Sequence, residues 1–322
     1  MRYRFALAAA ACLAFALAPA AAQEWPVKPV KIIAPFAPGG SADTLGRLVA
    51  MKLTETLGQQ FVVENRPGAG GLLGSEMVAR SAPDGYTFVV SGVASHVVAP
   101  ALNPNLSFDP LKDFTHIAIF GGPPDVLVVS KPLPVATLAE FIAYGKANPG
   151  KLSYGTPGIG THGHLVAELL QQRAGFKMEH VPYRGAGQAV GDIVGNQIPV
   201  GSFTLTTAAE HIRAGTIRAL AISAPKRLPD YPDVPTFVEL GFPELVTVTW
   251  FALSGPAGVP EPIVKKLNAE VIKALAQPDI RQRLARDAID PEPLDPAAFV
   301  KFIEAETRIW APIARSSGAK AN

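Results

Sequence analysis

One stretch near the N-terminus decides the fold, and it reads Val30-Lys31-Ile32-Ile33-Ala34-Pro35-Phe36-Ala37-Pro38-Gly39-Gly40-Ser41-Ala42-Asp43. Its apolar, β-branched half predicts a strand from Val30 to Phe36. The helix that follows carries leucines at helical spacing and is expected to end at Gly58. A strand, a glycine-rich loop and a helix in this order are typical of an α/β fold with largely parallel sheets.

A second stretch repeats this order of residue types, and it reads Pro157-Gly158-Ile159-Gly160-Thr161-His162-Gly163-His164-Leu165-Val166-Ala167. Both stretches follow a predicted strand, carry paired glycines and a hydroxyl residue, and open a helix with Gly-x-Leu-Val-Ala. Two unrelated turns in a chain rich in Ala and Leu are the alternative interpretation. We favour two smaller sheets, with one such loop in each lobe, over a single large sheet.

Short apolar runs recur along the chain and alternate with helical stretches. Several are apolar throughout, as expected of strands that are covered on both faces. Pro262 is expected to open one further helix, and Asp295 with Pro296 another. The predicted strands are Val30–Phe36, Phe61–Glu64, Thr87–Ser91, His116–Phe120, Asp125–Ser130, Leu152–Gly155, Lys177–Tyr183, Ile198–Phe203, Ile217–Ser223 and Thr247–Ser254.

The first 22 residues have the pattern of a secretory signal peptide. Two arginines precede the apolar run Phe5–Leu17, and Ala20 to Ala22 provide small residues for cleavage near Ala22. The run is shorter than the ~20 residues that a membrane span needs. A lipid-anchored Cys12 is the alternative, in a poor sequence context for it. We therefore expect an exported mature protein.

Removal of this segment changes the charge and the cysteine count of the 322-residue chain. It takes away Arg2, Arg4 and Cys12, and leaves 27 basic residues against 27 acidic ones and no cysteine. A neutral chain lacks the basic face of a nucleic-acid-binding protein. A chain without cysteine has no disulfide, no thiolate metal site and no catalytic thiol.

Enzyme signatures are weak in the rest of the chain. Gly-x-Ser-x-Gly, the turn that carries a nucleophilic serine, does not occur. The spacing Gly158-x-Gly160-x-x-Gly163 matches a dinucleotide fingerprint, but Thr156 and Pro157 separate it from the preceding strand. The sequence therefore favours a binding protein without a cofactor over an enzyme.

The two glycine loops are candidates for binding an anion. Ligands of α/β proteins bind beyond the carboxyl ends of parallel strands. Glycines let the backbone approach a ligand, and the first-turn N–H groups of each helix have no helical partner. Ser41 and Thr161 each add a hydroxyl donor. One helix end contributes at most ~2 kcal/mol, so we expect two facing loops to share one ligand.

Histidines and one further loop complete the set of candidates. His162 and His164 are too few for a zinc site and do not share a helix face. We predict an exposed His162, a His164 that orders its loop, and no metal. His96 either lines a cleft wall or is a loop histidine bonded to backbone. In the loop after Tyr183, we expect the backbone at Gly185 to face the ligand.

Several motifs, in this order, resemble the Bug family, the periplasmic substrate-binding proteins of tripartite tricarboxylate transporters. They are Trp25-Pro26-x-Lys28-Pro29-Val30-x-Ile32-Ile33-x-Pro35-Phe36-x-Pro38-Gly39-Gly40-Ser41-x-Asp43, Glu64-Asn65-Arg66-Pro67-Gly68-Ala69-Gly70-Gly71, Pro83-Asp84-Gly85-Tyr86-Thr87, His180-Val181-Pro182-Tyr183-Arg184-Gly185, Ala214-Gly215-x-Ile217-Arg218-Ala219-Leu220-Ala221 and Pro232-Asp233-Val234-Pro235-Thr236.

The resemblance implies a two-lobe, type II periplasmic-binding fold of the Venus flytrap kind, in which each lobe is a mostly parallel sheet flanked by helices. Lobe 1 would comprise residues 23–123 and 225–322, and lobe 2 residues 124–224, with crossings near Pro123 and Ala224. It also implies a periplasmic receptor that captures a small organic carboxylate and delivers it to membrane transporter subunits. We expect the receptor to be a monomer. The alternatives are an exported sensing module and, less favoured, an α/β enzyme.

Carried over residue by residue, the resemblance predicts a ligand site built from three segments and two further positions. Phe203 stands where many relatives have an acidic residue. If that acid contacts the amine of an amino-acid ligand, its absence here favours an apolar or aromatic acid. The predicted ligand-binding residues are Phe36, Pro38, Gly39, Gly40, Ser41, Asp43, Ala94, Ser95, His96, Gly158, Gly160, Thr161, His164, Gly185 and Phe203.

Overall fold

The computed structural model describes residues 24–103 and 105–319, so the predicted signal peptide lies outside the described residues. Each of the predicted strands is present, with ends that differ by a few residues. The strands are β1 Val30–Ala34, β2 Phe61–Asn65, β3 Thr87–Gly92, β4 Phe114–Gly121, β5 Asp125–Ser130, β6 Ser153–Thr156, β7 Glu179–Pro182, β8 Val200–Thr204, β9 Ile217–Ile222 and β10 Phe251–Pro256.

The helices lie between these strands and at the C-terminal end. Gly58 ends the first helix in the left-handed conformation, as predicted, and its N–H donates to the Thr54 carbonyl. The Asp295 side chain accepts from the Ala298 N–H and caps the last helix. The helices are α1 Ser41–Leu57, α2 Leu72–Ala79, α3 Ala99–Leu102, α4 Leu138–Ala147, α5 His162–Ala174, α6 Ala186–Val194, α7 Leu205–Arg213, α8 Glu261–Leu275, α9 Pro278–Ala285 and α10 Pro296–Ser316.

The strands form two separate five-stranded sheets, which confirms the two-lobe prediction. The first sheet has the order β2-β1-β3-β10-β4, and the second has the order β7-β6-β8-β5-β9. Four strands of each sheet run in one direction. The exceptions are β10 and β5, which pair antiparallel with both neighbours. We call the units built on these sheets the first and the second lobe.

Each sheet is covered by helices on both faces, which explains why nearly all residues of the central strands β3, β5, β8 and β10 are buried. In the first lobe, Ile32, Leu45 and Phe88 are buried in one cluster with residues of α8. In the second lobe, Leu127 and Leu170 belong to a corresponding cluster. Within the described part of the chain, no helix is both long and apolar enough to cross a membrane.

The chain passes between the lobes twice. The first crossing lies between Gly121, the end of β4, and Asp125, the start of β5. The second crossing does not lie near Ala224, as predicted. The chain stays in the second lobe after this residue, because Tyr231, Phe237 and Leu245 are buried in the clusters of that lobe. The return lies instead near residue 249, whose N–H donates to the carbonyl of Pro123 at 3.3 Å.

Candidate functional site

The loops that follow β1 and β6 face each other across the cleft between the lobes. Together they line one cavity, with residues from both lobes on its wall. The cavity is therefore a small chamber that both lobes enclose.

Direct contacts hold the lobes together around this chamber. The Ser41 and Thr204 hydroxyl oxygens lie 2.6 Å apart. The Ala37 N–H donates to the carbonyl of Arg184 at 2.8 Å. Gly70 lies so close to Ile159 that a side chain at Gly70 would overlap the Ile159 carbonyl. The structure is thus that of a closed cleft.

Three helices begin at the chamber without a side-chain cap. They are α1, α5 and α6, whose N-cap residues Gly40, Thr161 and Gly185 make no side-chain hydrogen bond to the helix. The N-terminal residues Ser41, His162 and Ala186 of these helices line the chamber. Because first-turn N–H groups lack helical partners, the three N-termini create an environment suited to an anion.

Six of the predicted ligand-binding residues line the chamber. The first lobe contributes five of them, from the loop before α1, from the start of α1, and from the turn Ala94–Val98 that follows β3. The second lobe contributes the hydroxyl residue at the start of α5. The six residues are Phe36, Gly40, Ser41, Ala94, Ser95 and Thr161.

Asp43 holds the first loop and does not face the chamber. Its carboxylate accepts from the Gly39 N–H at 3.1 Å, from Arg47 at 2.9 Å and from the Asn65 side chain at 2.9 Å. Burial opposes ionisation of Asp43, but these hydrogen bonds outweigh it and lower the pKa of the carboxyl. Pro38 and Gly39 lie on the exposed outer side of the loop.

Gly158, Gly160 and Gly185 also lie beside the chamber rather than on its wall. Gly158 and Gly160 line a second interlobe space of about 460 Å³. Gly160 has φ of +78°, a conformation that favours glycine. A Cβ atom at Gly185 would lie 2.9 Å from the Ala37 nitrogen. These glycines therefore permit loop geometry and close approach of the lobes.

His96 and His164 lie inside the lobes. His96 is packed 4.7 Å from the Phe114 ring centroid, and its Nδ1 lies 2.9 Å from the Ser95 hydroxyl. Burial lowers the pKa of His96 well below its ordinary value. His164 stacks on His180 at 4.0 Å, and its Nδ1 accepts from the Gly160 N–H at 3.2 Å. His164 therefore makes the predicted loop contact and no chamber contact.

Phe203 points away from the ligand chamber, contrary to the prediction. Its side chain is fully buried in the core of the second lobe with Val126 and Leu205. The next residue, Thr204, lines the chamber instead. Successive residues of a strand point to opposite faces, so a shift of one position exchanges core and cleft.

Two titratable residues of the chamber, His162 and Asp125, were also missed from the sequence. His162, predicted to be exposed, is 2% exposed and its ring centroid lies 4.3 Å from that of Trp310. Asp125 is 1% exposed and accepts from the Thr247 hydroxyl at 3.2 Å. A signal for Asp125 is present in the sequence, because it is the one charged residue of the strand Asp125–Ser130 and precedes four apolar residues.

Burial shifts both groups toward their neutral forms. It lowers the pKa of His162 to about 3. It raises the pKa of Asp125 to about 7, although the hydrogen bond from Thr247 acts in the opposite direction. The His162 Nδ1 and the nearer Asp125 oxygen lie 4.0 Å apart, which is too far for a hydrogen bond. Among residues 24–103 and 105–319, no group of three or more His, Cys, Asp or Glu side chains could hold a metal ion.

Two α/β lobes with two crossings, and a closed chamber at the carboxyl ends of their parallel strands, define a protein of the periplasmic-binding class. The model of one family, described as "Tripartite tricarboxylate transporter family receptor", matches residues 45–318. The chain belongs to this family, and it is a periplasmic solute-binding receptor of that type. The resemblance to the Bug proteins is confirmed.

Individual relatives are similar over nearly their whole length. Protein BugT of Bordetella pertussis is 37% identical over 304 residues, which cover 94% of this chain and 93% of BugT. The structure of Rpa4515 of R. palustris with adipate has a TM-score of 0.88 and 33% identity, over 92% of this chain and 99% of that one. MatC from Rhodopseudomonas palustris with bound malate has a TM-score of 0.85 and 36% identity, over 90% of this chain and 100% of that one.

Proposed function

We propose that this protein binds a small organic carboxylate in the chamber between its lobes and presents it to the membrane subunits of a tripartite tricarboxylate-type transporter. One observation carries this proposal: three uncapped helix N-termini, from both lobes, converge on one enclosed chamber. The ligands of Rpa4515 and MatC, adipate and malate, are carboxylates and support the same ligand class.

The magnitudes are sufficient for useful affinity. A helix N-terminus contributes at most ~2 kcal/mol to a well-placed negative charge. Hydrogen bonds to a charged acceptor add ~1.5–3 kcal/mol each. The Ser41 hydroxyl lies on the chamber wall and can provide one of them, whereas the Thr161 hydroxyl, contrary to the prediction, already donates to the Gly158 carbonyl at 2.8 Å. Micromolar binding requires about 8 kcal/mol. Residues 23–322 carry no net charge, so no overall positive charge attracts the anion. The N–H and O–H groups that point into the chamber would bind it instead.

Closure of the cleft would couple ligand binding to recognition by the transporter. A ligand that contacts both lobes stabilises the closed state, because it binds that state more tightly than the open one. The Ser41–Thr204 and Ala37–Arg184 contacts exist only when the lobes are together. The membrane subunits would then distinguish the loaded receptor by its closed surface. Binding and release require no covalent step, and we propose none.

We infer that the protein acts in the periplasm as a monomer after cleavage near Ala22. Mass spectrometry of the exported protein tests the cleavage position, and light scattering tests the monomeric state. A mature N-terminus away from Gln23, or a stable dimer, would contradict these two points separately.

The carboxylate function is tested by thermal shift with mono-, di- and tricarboxylates, followed by uptake assays. We expect at least one carboxylate to raise the melting temperature in a saturable way, and deletion of the gene to reduce its uptake. Folded protein that no carboxylate stabilises would contradict the binding proposal. Binding with undiminished uptake would favour the sensing alternative over transport.

A further inference from the structure

His162 and Asp125 form a polar pair on the second-lobe side of the chamber that the carboxylate proposal does not use. Both side chains line the chamber, and each is at least nine-tenths buried. Neither ring nitrogen of His162 has a hydrogen-bond partner among the described residues. Buried polar groups are nearly always hydrogen-bonded, so this pair points to a polar group of the ligand.

The surrounding structure fixes the pair in place. Asp125 begins β5 directly after the first crossing, and its N–H donates to the Ser223 hydroxyl at 2.7 Å. The Ser223 hydroxyl in turn donates to the Thr247 carbonyl at 2.7 Å, beside the return crossing. Asp125 is thus anchored to both connecting segments between the lobes.

The ring of His162 is held by the opposite lobe. It packs against Trp310 of α10, and α10 packs on β4 and on the turn Ala94–Val98 of the first lobe. The arrangement of His162 beside Asp125 therefore depends on closure of the cleft. A ligand group that bridges the two side chains would be sensed in the closed state.

We propose that His162 and Asp125 recognise a hydroxyl group of the ligand, so that the bound compound is a hydroxycarboxylate. This inference rests on the proposed function, because the helix N-termini must first hold the ligand's carboxylate. A hydroxyl group accepts from the N–H of His162 and donates to the Asp125 carboxylate at the same time.

Other ligand groups fit this place less well. An apolar group would leave the buried His162 ring without a hydrogen-bond partner, which is costly. A second carboxylate fits only a protonated Asp125, because beside an ionised one it would bring like charges together in a small chamber. An ammonium group can donate to an ionised Asp125 but not accept from a protonated one. With the pKa of Asp125 raised to about 7, both forms occur near neutral pH, and a hydroxyl group serves either.

The test uses matched ligand pairs that differ by one hydroxyl group. They are succinate and malate, glutarate and 2-hydroxyglutarate, and 3-phenylpropionate and 3-phenyllactate, each titrated into the mature protein by calorimetry. For the pairs that bind, we expect the hydroxylated member to bind roughly tenfold to hundredfold more tightly, the usual effect of a hydrogen bond to a charged or buried group.

Variants test whether Asp125 and His162 cause the preference for the hydroxylated ligand. In Asp125→Ala and in His162→Phe, we expect the affinity ratio within each ligand pair to fall close to one. Asp125→Asn, which keeps the shape, should lower the ratio part of the way and covers the case in which Asp125→Ala does not fold. His180→Phe is the matched control, because His180 is a half-buried histidine of β7 that does not line the chamber, and its ratio should stay that of the wild type.

The outcomes separate the two proposals. Equal binding of both members of every pair, or an unchanged ratio in both the Asp125 and His162 variants, would overturn the hydroxyl assignment and leave carboxylate binding intact. Tighter binding of aspartate than of malate would overturn it in favour of an ammonium group. If none of the carboxylates binds to the folded protein, the proposed function fails, and this inference with it.

Discussion

Ser41 and Thr204 lie 163 positions apart in the sequence, yet their hydroxyl oxygens lie 2.6 Å apart across the closed cleft. Ser41 begins α1 of the first lobe, and Thr204 ends β8 of the second. One short contact therefore joins the two lobes at the wall of the chamber, where both residues are in reach of the same ligand.

This contact predicts a measurable coupling between the two residues. Ser41→Ala and Thr204→Val should each weaken binding of the best carboxylate, because each removes a hydroxyl and loosens closure. The double variant should lose less than the sum of the single losses, with a coupling of about 1 kcal/mol in the binding free energy. Calorimetry on all four proteins gives this value. Strictly additive losses would show that the contact does not contribute to binding.

Gly70 predicts a variant that folds but cannot close. A side chain at this position would overlap the Ile159 carbonyl of the opposite lobe. We expect Gly70→Ala to reduce carboxylate affinity roughly tenfold or more, in proportion to the lost closed population. The readouts are calorimetry and the radius of gyration from X-ray scattering.

Gly58→Ala is the matched control for Gly70→Ala. Gly58 has φ of +68° and Gly70 has φ of +64°, so both variants carry a similar backbone strain of roughly 1–2 kcal/mol. No atom lies within 4 Å of a Cβ placed at Gly58. Its affinity should be that of the wild type, and an equal loss in both variants would attribute the effect to strain rather than to blocked closure.

We expect substitutions of Phe203 to lower the stability of the protein without changing its ligand preference. Because the ring is fully buried in the second lobe, Phe203→Ala should lower the free energy of unfolding by ~3–5 kcal/mol. Phe203→Leu, a milder change, should leave the ranking of carboxylates by affinity unaltered. Chemical denaturation and a competition assay provide the two readouts. A changed ranking in the leucine variant would restore Phe203 as a specificity residue.

Acidification is expected to destabilise the ligand-free protein. Burial lowers the pKa of His116 and His164 to about 4, and that of His162 and His180 to about 3. The unfolded chain takes up protons at these residues below about pH 6.5, whereas the folded protein does not. Above pH 6.5 these histidines therefore do not reduce the free energy of unfolding. From pH 6.5 toward pH 4 or 3, each of them reduces it by roughly 1.4 kcal/mol for each pH unit.

Asp125 acts in the opposite direction. Burial raises the pKa of its carboxyl to about 7, so the folded protein holds a proton that the unfolded chain releases. This contribution grows as the pH falls below 7, but one carboxyl group opposes five imidazoles, because burial lowers the pKa of His96 as well. Denaturation at pH 7 and pH 5.5 should show lower stability at pH 5.5, and a larger drop in Asp125→Asn. A stability that rises toward pH 5.5 would contradict this sign.

Much of the fold could be predicted because local patterns determine it. The apolar run at Val30 and the glycine at position 58 marked β1 and the end of α1. The reversed direction of β5 and β10 has no local signal, since an apolar strand looks the same in either direction. The position of the second crossing could not be predicted from Tyr231 and Phe237. Their apolar side chains indicate burial, but the sequence does not indicate which lobe buries them.

The site was predictable at its glycine loops and less so at single side chains. Gly40 and Ser41 indicate one strand-to-helix loop, and Thr161 indicates another. All three residues line the chamber. The sequence alone predicts an exposed His162, because the burial of this residue comes from Trp310, which is 148 positions away and in the other lobe. Thr204 was missed by one position because register decides which side of a strand faces the cleft.

The central claim is that the chamber binds a carboxylate through aimed N–H and O–H donors of both lobes. The most direct measurement is calorimetry of the mature protein with malate and adipate and with their diamides, in which neutral amides replace the carboxylates. We predict saturable one-to-one binding of at least one dicarboxylate and no detectable binding of its diamide. Equal affinity for the diamide, or no binding of either dicarboxylate by folded protein, would contradict the claim.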